Sequence, residues 1–180
     1  MKKQKKADLL PYSPAWEKYF EKEKAGLAKL LKSNLSQIHH IGSTAITSIH
    51  AKPTLDILVE VHTLDGITAF KDEFERAGLI SKDYFDVDER LYFVRFSPDG
   101  TSHLSQIHIF EKTSKYIKDY LDFRDYLNAE PEVAIEYEKM KIALNQQDQG
   151  SFDLYEAGKN EFIKTVLKNI TLRNGEESFR

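Results

Sequence analysis

The chain has 180 residues, 41% of them apolar and 31% charged, which suits one soluble globular domain with a substantial core and excludes disorder over most of its length. With 26 basic and 29 acidic residues the net charge is −3, so the overall field does not draw the protein onto nucleic acid or an anionic membrane. Cysteine is absent, which removes disulfides, thiol nucleophiles and cysteine-based metal sites and makes a reducing cytoplasm the expected home.

Four lysines mark the first six residues, but no apolar run follows before Pro11, so this stretch reads as a solvated tail and not as a signal peptide or anchor. Ser13 and Pro14 predict a helix start, and Trp16, Tyr19, Phe20, Leu27, Leu30 and Leu31 recur at helical spacing behind it. Trp16 is expected to lay this helix on a sheet. Ser33-Asn34 ends it, and Gln37 to Ile41 predicts a short strand that carries His39 and His40 on opposite faces. His40, two residues before Gly42, is the better neighbour for a site. Gly42-Ser43 supplies a sharp turn, after which Ser43 or Thr44 can cap a helix of one or two turns that Lys52-Pro53 stops. Leu55 to Val61 is β-branched and apolar and predicts a buried strand, with Asp56, Leu58 and Glu60 on one face and Ile57, Val59 and Val61 on the other.

That unit of strand, turn, short helix and strand carries chemistry. Free N–H groups at a helix start and a serine hydroxyl suit a phosphate, and an aspartate at the head of the next strand can hold a divalent cation that neutralises it. A carboxylate inside an apolar strand is costly to bury unpaired, so Asp56 is expected to face a polar cleft or a cation.

Beyond it, Leu64 to Ala77 predicts an amphipathic helix built on Ile67, Phe70, Phe74 and Ala77 and closed by Gly78. Leu79 to Val87, Arg90 to Phe96 and Leu104 to Phe110 predict three strands with turns at Asp88-Glu89 and Ser97 to Gly100, an antiparallel meander added to the core. Tyr116, Ile117, Tyr120, Leu121, Phe123, Arg124 and Leu127 form a helical stripe. Two more helices follow, over Val133 to Gln147 and about Ser151 to Leu172, and Asn174 to Arg180 reads as a loose tail. The division expected is a core over residues 10–112 and a helical cap over 113–172 of one domain.

Twelve residues separate Ser43 from Asp56, which agrees with the nucleotidyltransferase signature of a Gly-Ser turn followed by an acidic strand. Gly42-Ser43-Thr44-Ala45, Ala51-Lys52-Pro53 and Leu55-Asp56-Ile57 resemble the signature of the GrpB family. So do Pro14-Ala15-Trp16, Ile107-His108-Ile109, Phe123 to Leu127, Pro131-Glu132, Glu136-Tyr137, Lys141, and Tyr155 with Lys159. The resemblance implies an α+β, nucleotidyltransferase-like mixed sheet with a meander, flanking helices and a C-terminal helical cap. It also puts His108 near the place of a third metal ligand, the alternative being a buried histidine bonded within the protein. Two departures stand out: Leu58 fills the place where active nucleotidyltransferases carry a second carboxylate, and Thr47-Ser48 stands where a Pro-Gly pair is usual.

The function implied is transfer of a nucleotidyl or phosphoryl group to a small molecule. A nucleoside triphosphate would lie against Gly42, Ser43, Thr44 and Lys52, and Asp56 would bind one divalent cation, magnesium, manganese or zinc, assisted by His108 and Glu60. Arg124 either forks onto a phosphate or pairs with a neighbouring acid. Lys141 and Lys159 are weaker candidates. The alternative is a binding module for nucleotides or other phosphate-bearing metabolites that has lost turnover with the second carboxylate. An RNA-handling role is disfavoured by the acidic balance.

Overall fold

The computed structural model describes residues 9–68, 71–82, 89–147 and 152–177. A five-stranded mixed sheet of order β1-β2-β5-β4-β3 sits at the centre: β1 Leu35–Ile41, β2 Leu55–Val61, β3 Ile80–Ser81, β4 Arg90–Phe96 and β5 His103–Glu111. β1 and β2 are antiparallel, β2 and β5 parallel, and β5, β4 and β3 form the expected antiparallel meander. Of the strand expected over Leu79 to Val87, Ile80–Ser81 is paired as β3; residues 83–87, and Asp88 of the expected turn, lie outside the described residues.

One face of the sheet is covered by α1 (Ala15–Leu31), α2 (Asp65–Thr68) and α3 (Lys71–Arg76). Trp16, Phe20 and Leu27 of α1, with Ile67 and Phe74, pack on Ile57, Val59, Phe93, Ile107 and Ile109. Trp16 is thus a packing residue, edge-on to Tyr12. Tyr19 does not join it: the side chain is 60% exposed, because a seventeen-residue amphipathic helix buries one stripe and Phe20 already fills it. The helix expected over Leu64 to Ala77 is seen over Asp65–Thr68 and Lys71–Arg76; Ala69 and Phe70 between them lie outside the described residues.

The opposite face carries the cap: α4 (Tyr116–Ala129), α5 (Pro131–Gln147) and α6 (Phe152–Glu177). Leu58 and Phe110 meet Ile41 and Ile117 here, with Tyr116, Tyr120 and Leu121 around them. A second cluster joins the cap to the loop after β1, where Ile46 and Ile49 insert among Leu127, Ala134, Tyr137, Val166 and Ile170. α6 runs on through Glu177, into the stretch expected as tail. Among the described residues no helix is long and apolar enough to cross a membrane.

Candidate anion-binding site

The turn after β1 is built on Gly42, whose φ of 70° and ψ of −170° suit only glycine. Space dictates the same residue, since a Cβ there would lie 2.1 Å from Oδ2 of Asp56. The turn and the aspartate are therefore in contact, on the cap side of the sheet, where the pairing of Ile41 with Asp56 puts them. The helix expected after Gly42 is only a 3-10 turn over Ser43–Ala45, because Ile46 and Ile49 pull the chain into the cap. Three residues make no helix dipole of consequence, so an anion here would depend on side chains instead.

Those side chains come from the cap. Lys141 of α5 is buried, donates from Nζ to Oγ of Ser43 at 2.8 Å, and lies 4.4 Å from the centre of the Tyr137 ring. Burial, with Lys159 next, lowers its pKa to about 8, against the opposing pull of Glu138 and Asp56. Among the described residues Lys141 forms no ion pair with a carboxylate. Lys159 of α6 follows Gly158, where a Cβ would meet Leu144 of α5 at 2.9 Å; the missing side chain lets the two helices close together. Asp56 is half-buried, and desolvation raises its carboxyl to about 6, with Lys159 and Lys141 acting against that rise. The exposed Lys52 also acts electrostatically on Lys141.

The cap is fixed over this turn by polar contacts that the sequence did not advertise. Asn128 donates to the carbonyl of Ala45 at 2.9 Å and accepts from the Thr47 N–H at 3.2 Å. Glu138 Oε1 takes the His50 N–H at 2.7 Å and faces His50 Nδ1 at 2.6 Å. Lys141 itself had a readable signal: it continues the apolar stripe of Ala134 and Tyr137 at helical spacing, where a lysine is out of place.

The other expected residues are distributed differently. Thr44 is buried, and its hydroxyl meets Nε2 of His40 at 2.9 Å. His40 lies on the α1 face, stacked on Phe20 and away from Asp56, so its place beside the turn is structural; burial lowers its pKa. Arg124 donates from Nη1 to the His40 carbonyl at 3.0 Å and from Nε to Asp125 at 2.7 Å. The pairing with a neighbouring acid is present. Glu60, four residues along β2 from Asp56, is bonded to His39 at 2.8 Å.

His108 shares the face of Asp56, as period two requires. Arg90 Nη1 lies 3.0 Å from its Nδ1, and Tyr92 and Tyr120 flank the ring. Arginine can only donate, so Nδ1 accepts and the proton of the neutral ring is on Nε2. Burial first, then Arg90 and Lys159, lower the pKa to about 3. A histidine whose pKa falls on folding contributes stability above its ordinary value of 6.5 that is lost as the pH drops below it. Nitrogen-detected NMR is expected to show a single Nε2–H tautomer for His108 from about pH 5 to about pH 8, where an ordinary histidine titrates. A midpoint near the ordinary value would refute the arrangement.

Among the described residues no group of three or more histidine, aspartate or glutamate side chains is placed to hold a metal ion. Around the glycine turn stand the Asp56 carboxyl, the Ser43 hydroxyl and the Lys141 amine, with the charges of Glu138 and Lys159 acting on Lys141.

Residues 6–169 match the family model described as GrpB protein. The chain is 34% identical over 165 residues to the UPF0157 protein YqkA of Bacillus subtilis (strain 168), covering 92% of this chain and 47% of YqkA, so it spans about half the length of that relative. The crystal structure of conserved protein GrpB from Enterococcus faecalis matches with a TM-score of 0.82 at 32% identity, over 93% of this chain and 99% of that one. Cid1 poly(U) polymerase in its MgGTP-bound form matches with a TM-score of 0.51 at 15% identity, over 82% of this chain and 50% of the polymerase, a likeness of fold alone. The fold is nucleotidyltransferase-like, and with the family match running over most of its length the chain belongs to the GrpB family.

Proposed function

We propose that the protein binds a phosphate-bearing small molecule of the nucleotide class where the Gly42-Ser43 turn meets the cap. The observation that carries this reading is Lys141: a buried ammonium bonded to a serine hydroxyl, without a carboxylate partner among the described residues. Burying a cation with no carboxylate at ion-pair distance is costly, Glu138 and Asp56 compensate it only from farther off, and an anion shared with Lys159 offsets that cost. Even with its pKa lowered to about 8, the amine is mostly charged at neutral pH.

Transfer of a nucleotidyl or phosphoryl group is the second reading. Asp56 favours it, because a carboxyl with a pKa near 6 at the head of β2 suits a general base for an acceptor hydroxyl. Release of pyrophosphate separates the two readings.

Calorimetric titration with ATP, GTP, CTP and coenzyme A precursors tests binding. At least one is expected to bind, and Lys141→Met is expected to weaken it about 10- to 100-fold, the worth of a hydrogen bond to a charged group. No binding by the folded wild type, or equal affinity in a folded Lys141→Met variant, would dispose of the proposal.

A further inference from the structure

Nucleotidyltransferase folds imply a divalent cation beside the phosphates, and the residues at this turn do not fit one. Asp56 is the carboxylate that touches Gly42; Leu58 occupies the next position on its face and is fully buried, and Glu138, the other carboxylate acting on Lys141, is engaged by His50. Glu60 is held by His39. His108 has its Nδ1 lone pair on Arg90 and a proton on Nε2, so it offers an N–H where a metal needs a lone pair. Two ammonium groups act on Asp56. A divalent cation would meet one negative ligand and two positive neighbours, the reverse of a hard-cation site.

Resting on the binding reading above, we infer that the site takes its phosphate ligand without a divalent cation, the ammonium groups of Lys141 and Lys159 neutralising the anion and Asp56 acting as their counter-charge. Lys141 reaches the turn from α5 through its bond to Ser43. α6 packs closely on α5 at Gly158 and Leu144, and the charge of Lys159, the next residue of α6, acts on both Asp56 and Lys141. Asp56 packs against Gly42, on the same side of the sheet as both helices. A phosphate over Ser43 would then contact N–H donors whose charge is fixed by the chain. The ligand class follows: the free polyanion, not its magnesium complex, because complexation removes two of the charges that the lysines would neutralise.

The test is calorimetry with ATP and with inorganic tripolyphosphate, each in excess EDTA and again in excess magnesium or manganese. Circular dichroism confirms the fold of every variant. The affinity in EDTA is expected to equal or exceed that with metal. Lys141→Met and Lys159→Met are each expected to weaken binding by about 10-fold or more, and Asp56→Asn to keep it or tighten it, since a negative charge facing the anion is removed. Manganese alone, followed by electron paramagnetic resonance, is expected to show no protein-bound ion. Binding that appears only with metal and disappears in Asp56→Asn would overturn the inference while leaving the binding reading intact. Absence of binding in every condition would instead overturn the binding reading itself.

Discussion

Leu58→Asp is expected to yield no folded protein at room temperature and no metal centre. In sequence the substitution looks like a repair, since it restores the pair of carboxylates two residues apart on one strand face. Its surroundings argue otherwise. Leu58 is fully buried, packed with Ile41, Phe110 and Ile117 under Tyr116, Tyr120 and Leu121. Removing the leucine costs about 2 to 5 kcal/mol in lost burial and cavity, and the new carboxylate adds a desolvation penalty of several kcal/mol more unless it takes up a proton. The sum reaches the whole stability of a typical domain, about 5 to 15 kcal/mol. Urea or thermal unfolding would measure it, with Leu58→Ala separating cavity from charge. A folded Leu58→Asp protein that binds magnesium would mean that the site is a metal centre short of one ligand.

Gly42→Ala is the second large effect, expected to destabilise by about 4 kcal/mol and to lower the melting temperature by about 10 °C for a chain of this size. Two penalties combine. The backbone at φ 70° and ψ −170° is open to glycine and strained for alanine. The added methyl would also stand 2.1 Å from Oδ2 and 2.7 Å from Cβ and Cγ of Asp56. Neither side can yield easily: the carboxyl is on a central strand, and Ile46 and Ile49 anchor the loop in the cap. Any relaxation must part the turn from Asp56, so binding is expected to fall along with stability. A melting temperature equal to that of the wild type would show that the turn is looser than described.

The unit from β1 to β2 was legible because its signals are local: a glycine at a turn, a proline after a lysine, a β-branched run. Alternation likewise put Asp56, Leu58 and Glu60 on one face of β2, whereas His108 was placed near them by the family resemblance and its side of the sheet is set by the pairing of Leu58 with His108. What the sequence obscured was set by distant partners. Thr44 looks like a cap residue but is turned inward by His40, and a helix that local rules allow is cut to a single turn by two isoleucines. Arg124 has its acid next door at Asp125, which spacing cannot rank against a phosphate. Lys141 reaches Ser43 across 98 residues, a pairing no local rule selects.

That long reach fixes an order of assembly. The hydroxyl belongs to the sheet layer and the amine to the helical layer, so the pocket exists only after both have docked. A native-state opening that lifts α5 and α6 would dismantle it while every strand kept its ladder. Binding competence can therefore vanish well before the sheet amides begin to exchange their hydrogens.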